Sequence, residues 1–218
     1  MSYILDHRIV FPHPSLADDD GLLAIGGDLS VERLLLAYQN GIFPWYTEDT
    51  PILWYAPHER FVLLPKELII HKSMKQFIRN TDFMVRCDTV FSDVLQKCAS
   101  IKRAGQDGTW LTNDMQQAYI KLHELGIVHS IETFTKNGDL VGGLYGVQVG
   151  RVFCGESMFS EVSNASKLAL LYLCQHFDFE LIDCQVYSEH LASLGAKYMS
   201  TEMFLRILQQ QEYTHDRF

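Results

Sequence analysis

The alternation of apolar and polar positions changes period several times along this 218-residue chain. Between Val31 and Asn40, residues Leu34, Leu35, Ala37 and Tyr38 fall on one side of a helix. Asp28 or Ser30 can cap its start and Gly41 stops it. The rest of residues 1–60 reads as loop-rich, with turns at P-H-P (12–14) and D-D-D-G (18–21) and the apolar strings I-F-P-W-Y (42–46) and P-I-L-W-Y-A-P (51–57). From Phe61 onward strand and helix patterns alternate. Strands are predicted over 61–64, 83–87, 129–134, 140–149, 152–155, 181–186 and 197–199, with Asn137-Gly138 as a hairpin turn. Helices are predicted over 72–79, 91–99, 112–125, 165–177 and 202–210, with a short one ending at Gly195. The pattern implies class α+β: a small N-terminal α/β domain (1–60) and a domain (61–218) with a mixed, mostly antiparallel sheet flanked by helices.

Polar residues interrupt the apolar strands of the 140–196 region. Glu156 stands in F-C-G-E-S-M-F-S (153–160), and Asp183 and Gln185 stand in L-I-D-C-Q (181–185). Unpaired buried polar groups cost about 1–3 kcal/mol each, so these side chains are expected to face a pocket that a polar group enters. Strand alternation puts Asp183 and Gln185 on one face, with Ile182, Cys184 and Val186 on the other. A half-exposed strand with ordinary solvent-facing polar groups is an equally good reading of that segment alone. Glu132, in S-I-E-T-F, is a weaker candidate, because an exposed strand residue explains it simply. Glycines 142, 143, 146, 150 and 155 match neither a P-loop nor a dinucleotide fingerprint, and in strands they permit bulges or a close backbone approach. Six aromatics between Phe43 and Phe61 are either an interface core or a stacking platform.

Composition is that of an ordinary globular protein, 47% hydrophobic and 21% charged. No apolar run reaches the ~18 residues of a membrane helix, the N-terminal residues do not read as a signal peptide, and the cytoplasm is the expected location. Five cysteines without a C-x-x-C pair are expected to be reduced thiols, and the nine histidines lack ligand spacing, so no metal is predicted. The net charge of −9 is unevenly spread: residues 60–103 carry nine Lys/Arg against four Asp/Glu, and the rest of the chain carries nine against 23. A basic segment of this kind is a solvated helix face or a nucleic-acid contact.

Taken together, G-L-L-A-I-G-G-D-L-S (21–30), A-Y-Q-N-G-I-F-P-W-Y (37–46), P-I-L-W-Y-A-P (51–57), G-T-W-L-T (108–112), L-H-E-L-G (122–126), H-S-I-E (129–132) and the 140–196 run resemble the leucyl/phenylalanyl-tRNA–protein transferase family. The resemblance covers nearly all of the chain from Gly21 to Leu208. It implies an acetyltransferase-like (GNAT) C-terminal domain. It also implies an activity that moves leucine or phenylalanine, and also methionine, from aminoacyl-tRNA to the α-amino group of proteins that begin with Arg or Lys, marking them for N-end-rule degradation. By position, Trp45 and Trp110 match the aromatics around the tRNA's 3′-terminal adenosine, and Leu144 and Met158 match the pocket for the transferred side chain. Glu156, Asp183 and Gln185 match the polar centre, with Glu132 a further substrate-binding candidate. Leu144 stands where methionine also occurs in the family, and the chain ends soon after Leu208.

The chemistry so implied needs no cofactor, because an aminoacyl ester is already activated; positioning and a weak base suffice. Gln185 can orient the amine through its side-chain oxygen, and Asp183 is expected to polarise Gln185 or accept the charge, with the substrate's ribose hydroxyl as another proton route. Glu156 and Asp183 are expected to supply an anionic site for the acceptor's cationic side chain, and Arg60, Lys72, Lys75 and Arg79 to hold tRNA phosphates. The protein is expected to act as a monomer, without a membrane partner. Two competing readings remain. An acyl-CoA N-acetyltransferase usually carries a glycine-rich pyrophosphate loop before a helix, where this chain has E-V-S-N-A-S-K (161–167). A non-catalytic aminoacyl-tRNA binder predicts no effect of Asp183→Ala, whereas a transferase predicts a large loss of turnover with near-normal folding.

Overall fold

The computed structural model describes residues 3–101 and 111–211. Near the N-terminus, β1 (Tyr3–Leu5), β2 (Leu22–Gly26), β3 (Phe43–Pro44) and β4 (Leu53–Tyr55) form a sheet in the order β1-β2-β4-β3. The expectation of a loop-rich unit is corrected here. These strands are two to five residues long, too short for a period to show in the sequence. Helix α1 (Val31–Gln39) starts where the Ser30 hydroxyl accepts the Arg33 N–H, and it stops before Gly41, whose φ of +68° suits glycine.

The larger sheet contains β5 (Glu59–Leu63), β6 (Met84–Cys87), β7 (Val128–Phe134), β8 (Leu140–Val149), β9 (Val152–Ser160), β10 (Leu181–Asp183) and β11 (Lys197–Ser200), ordered β11-β5-β10-β9-β8-β7-β6. All neighbours run antiparallel except β9 and β10. Around it lie α2 (Lys72–Asn80), α3 (Phe91–Ser100), α4 (Asn113–Glu124), α5 (Ala165–His176), α6 (Glu189–Ser193) and α7 (Thr201–Gln209).

Each face of this sheet buries its own cluster. On one face Val62, Val147 and Cys154 pack with Tyr38 and Trp54 of the N-terminal unit, Val94 of α3, Tyr119 of α4 and Phe204 of α7. On the other, Phe61, Leu63, Leu144 and Phe153 pack under Leu170 and Leu173 of α5. Each fully buried Leu, Val or Phe here contributes about 1.5–3 kcal/mol. The strand glycines serve this packing: a Cβ on Gly142 would lie 2.5 Å from the Ala165 Cβ, and one on Gly146 would lie 2.5 Å from the Phe153 ring. Their close neighbours are protein atoms, α5 in the first case and β9 in the second.

Two strands differ from the sequence reading in ways that build the site. Strand β9 continues to Ser160, so Glu156 lies inside it rather than at its end. Strand β10 stops at Asp183, three residues before the predicted end, because Gln185 adopts φ +63° and breaks the extended run. Beyond the three pairs from Leu181↔Val152 to Asp183↔Cys154, the parallel strands part, and the sheet opens between them.

Candidate active site

The opening between β9 and the segment after β10 is a cleft of about 420 Å³, within the range of small-molecule sites. Glu156 enters it through a local irregularity. Tyr145 pairs with Ser157 while Gly146 pairs with Gly155, so Glu156 is the extra residue of a β-bulge, a device that re-aims a side chain. Its carboxylate is almost fully buried, at 8% exposure. Tyr119 Oη donates to Glu156 Oε2 at 2.9 Å and Gln185 Nε2 donates to Oε1 at 2.7 Å. With the Tyr119 proton directed at Glu156, Tyr38 is the donor in the 2.7 Å contact between the two phenols. Burial raises both phenols well above their usual pKa, so they stay protonated donors. Burial likewise raises Glu156 to about 7, against the hydrogen bonds of the tyrosines and Gln185, which lower it; the Asp183 charge raises it further.

Asp183 is fully buried and already paired. Arg60 Nε donates to its Oδ1 at 2.9 Å and Arg60 Nη2 to its Oδ2 at 2.8 Å, a bidentate ion pair. The Gln185 backbone N–H donates to Asp183 Oδ1 at 2.9 Å. This bond helps hold Gln185 in its left-handed conformation. Asp183 and Gln185 therefore meet through a turn, and the strand-face argument for them is corrected. Asp183 touches the Gln185 backbone and not its amide, so the expectation that it polarises that amide or takes the proton is also corrected. With Arg60 neutralising Asp183, the two carboxylates do not form the expected anionic site for an acceptor cation. The Gln185 amide commits Nε2 to Glu156, and among the described residues no hydrogen bond engages its Oε1.

Arg60 overturns a second expectation. It is 2% exposed, lies over the rings of Phe43 (4.7 Å) and Phe204 (4.8 Å), and donates from Nη1 to the Gly41 carbonyl at 2.9 Å. It cannot reach a phosphate; it ties the N-terminal unit and α7 to Asp183. Glu132 is a third correction. It is fully buried outside the cleft, where it accepts the backbone N–H groups of Thr89 and Val90 and the hydroxyls of Thr89 and Ser130 at the start of α3. These bonds fix the loop that leads into α3.

The other candidates divide cleanly. Leu144 and Met158, paired across β8 and β9, line the cleft with Phe153, Leu170, Leu173 and Ile182, an apolar end beside the polar one. Trp45 stands at the cleft, 38% exposed and tilted against Tyr55 at 5.8 Å. Trp110 lies outside the described residues. Lys72, Lys75 and Arg79 are exposed on α2 at helical spacing, away from the residues lining the cleft, and no ion pair among the described residues engages them. Cys184 lines the cleft, and burial raises its thiol, as it does that of Cys154 nearby, so neither is a ready thiolate. Sequence reasoning did not single out Tyr38, Tyr119 or the inward role of Arg60. The tyrosines occupy unremarkable apolar positions of two helices, and nothing local marks either as a partner of Glu156.

A buried acid of near-neutral pKa, a carboxamide fixed against it and an adjoining apolar pocket define a protein class: one that can bring an amine to an acyl group bearing an apolar side chain. Among the described residues no group of three or more His, Cys, Asp or Glu side chains could hold a metal ion, and no helix is long and apolar enough to cross a membrane. Residues 62–209 match the family described as leucyl/phenylalanyl-tRNA protein transferase, and residues 27–58 match that family's N-terminal domain. The chain belongs to this family. A leucyl/phenylalanyl-tRNA–protein transferase of Syntrophus aciditrophicus (strain SB) is 54% identical over 205 residues, 93% of this chain and 85% of that protein. One of Flavobacterium psychrophilum is 49% identical over 211 residues, 95% of this chain and all of that protein. The solved structure of FemX aligns over 87% of this chain and 75% of that one, with a TM-score of 0.47 and 10% identity.

Proposed function

We propose that this protein transfers leucine or phenylalanine, and methionine, from aminoacyl-tRNA to the α-amino group of proteins whose first residue is Arg or Lys, marking them for degradation. The observation that carries this reading is the match of residues 62–209 to the transferase family, with Glu156 held by Tyr119 and Gln185 beside an apolar pocket in that same segment. The supporting division of the chain is a small domain over 1–60 and a catalytic domain over 61–218, each with its own sheet. The mixed sheet whose one parallel pair parts at the cleft supports an acetyltransferase-like (GNAT) reading of the second domain. Trp45, with Trp110, takes the terminal adenosine, and Leu144 and Met158 take the transferred side chain. The protein works as a monomer in the cytoplasm.

An α-ammonium group titrates near 7.7–8.0, so proton transfer to a carboxylate of pKa about 7 is close to balanced. Glu156 takes that proton while Gln185 Oε1 orients the amine. The nitrogen adds to the ester carbonyl, forming the C–N bond and a tetrahedral oxyanion. Collapse breaks the bond to the ribose oxygen, which takes the proton held by Glu156; the nitrogen then gives its second proton to the freed Glu156 carboxylate, which releases it to water. An ester and an ammonium group become an amide, a free tRNA hydroxyl and one released proton, with no other reagent.

The test is direct. Radiolabelled leucyl-tRNA mixed with the protein and a peptide beginning with Arg should label the peptide N-terminus; label that stays on tRNA refutes the reading. In the same assay isoleucyl-tRNA should transfer at least tenfold more slowly than leucyl-tRNA, since a pocket lined by Leu144, Phe153 and Met158 can discriminate by about 1–3 kcal/mol on shape. Equal rates would show that the pocket does not read branching at Cβ.

The exposed cations of α2 hold tRNA phosphates in this reading. Reversing Lys72, Lys75 and Arg79 to Glu in pairs should weaken aminoacyl-tRNA binding. It should also flatten the dependence of log K on log salt, by about 0.9 for each duplex phosphate that is no longer neutralised. An unchanged slope would move the tRNA off α2.

A further inference from the structure

Two tyrosines next to the cleft pack together although half their surface is in water. Tyr187, in the segment that lines the cleft after β10, is 52% exposed; Tyr198, on the edge strand β11, is 54% exposed. Their rings stack at 6.2 Å with 14° between planes. Phe61 of β5 braces both edge-on, at 5.2 Å each. Pairing of Tyr198 with Phe61 and of Ser200 with Glu59 puts Glu59, two residues before Phe61 in β5, on the same sheet face as Phe61. Glu59 is exposed, as is Glu189 in the first turn of α6, and among the described residues no ion pair engages either.

We propose that the Tyr187–Tyr198 pair, with Glu59 beside it, binds the cationic side chain of the acceptor protein's first residue. The inference rests on the transferase reading above and supplies the cation site that Glu156 and Asp183 do not form. Three observations choose this occupant. First, the surface is continuous with the cleft: Tyr187 is two residues beyond Gln185, at most about 7 Å of extended chain, a span that an Arg or Lys side chain covers from an amine held at Gln185. Second, the chemistry is complementary. Tyrosine ring faces attract guanidinium and ammonium groups, and the unpaired Glu59 adds opposite charge. Third, the surface disfavours the other substrate: the exposed, unpaired carboxylates of Glu59 and Glu189 repel the phosphates of a polynucleotide and attract a cation.

The experiment measures KM separately for an Arg-led peptide and for leucyl-tRNA. Tyr198→Ala and Glu59→Gln are each expected to raise KM for the peptide about three- to tenfold and to leave KM for leucyl-tRNA unchanged, while Tyr198→Phe, which keeps the ring, recovers the peptide. A rise confined to leucyl-tRNA would assign the pair to nucleotide stacking, and no rise in either would leave it without a substrate role; both results overturn the proposal. If Tyr198→Ala unfolds the edge strand, the Glu59→Gln and Tyr198→Phe comparison still decides. Wild-type protein that labels no Arg-led peptide at all would refute the transferase reading itself, a result separate from the variants.

Discussion

Replacing Glu156 by Gln is expected to lower kcat by a factor of about 10²–10⁴, the usual worth of a positioned general base. The carboxamide keeps the size and a hydrogen-bonding partner for Tyr119, but it cannot hold the ammonium proton. The pH dependence separates this role from a packing role. Wild-type kcat/KM for the acceptor should fall tenfold per pH unit below about 7, as burial drives Glu156 to its neutral form. The residual activity of the Gln variant should lack that limb; a variant that keeps the same limb would remove Glu156 from proton transfer.

Stability gives a second readout with a definite sign. The folded carboxyl titrates near 7, above its ordinary value of 4.5, so the fold disfavours the charged form. The carboxyl's stabilising contribution is whole below 4.5, declines as pH rises from 4.5 to 7 and is lost above 7. Between pH 5 and pH 8 this amounts to about 2–3 kcal/mol. Glu156→Gln should therefore gain stability on the wild type by about that amount over the interval, measured by urea unfolding at both pH values. A constant difference between the two proteins would show that Glu156 has no raised pKa.

Arg60→Met is expected to destabilise the protein by about 3–5 kcal/mol, because it leaves the Asp183 charge buried and unpaired. In a chain of this length that lowers Tm by roughly 6–20 °C. Asp183→Ala should cost a similar amount by stranding the Arg60 guanidinium. This replaces the expectation, drawn from sequence, of near-normal folding for Asp183→Ala. The double variant Arg60→Met/Asp183→Leu should recover most of the stability, since an apolar pair can replace a buried ion pair at little cost. It should not recover turnover, because the Gln185 N–H then loses the Asp183 oxygen that fixes its backbone. Thermal melts and single-turnover transfer on the three proteins check this. A double variant that regained full turnover would show that Gln185 is placed without Asp183.

Much of the fold was legible in local pattern. The bounds of α1, α3, α5 and β8 lie within about one residue of those read from periodicity and caps, because each is long enough to complete a turn or several alternations and has its stop signal nearby. The four strands of the N-terminal unit were not legible, because three of them have only two or three residues and carry no period, and the fourth, Leu22–Gly26, is an apolar run without alternation.

The sequence by itself determined the class of elements, the family and the set of polar residues, Glu156, Asp183 and Gln185, that apolar strands would not tolerate without partners. Tertiary structure alone decided what each of them does. A one-residue bulge turned Glu156 into the cleft, and a left-handed residue carried Gln185 round to meet it. Arg60, 123 positions earlier in the chain, claimed Asp183, and Tyr119 arrived from a helix 37 positions away. The physical reason is that pKa, charge and hydrogen-bonding capacity depend on burial and on partners, and both come from contacts between residues remote in the chain.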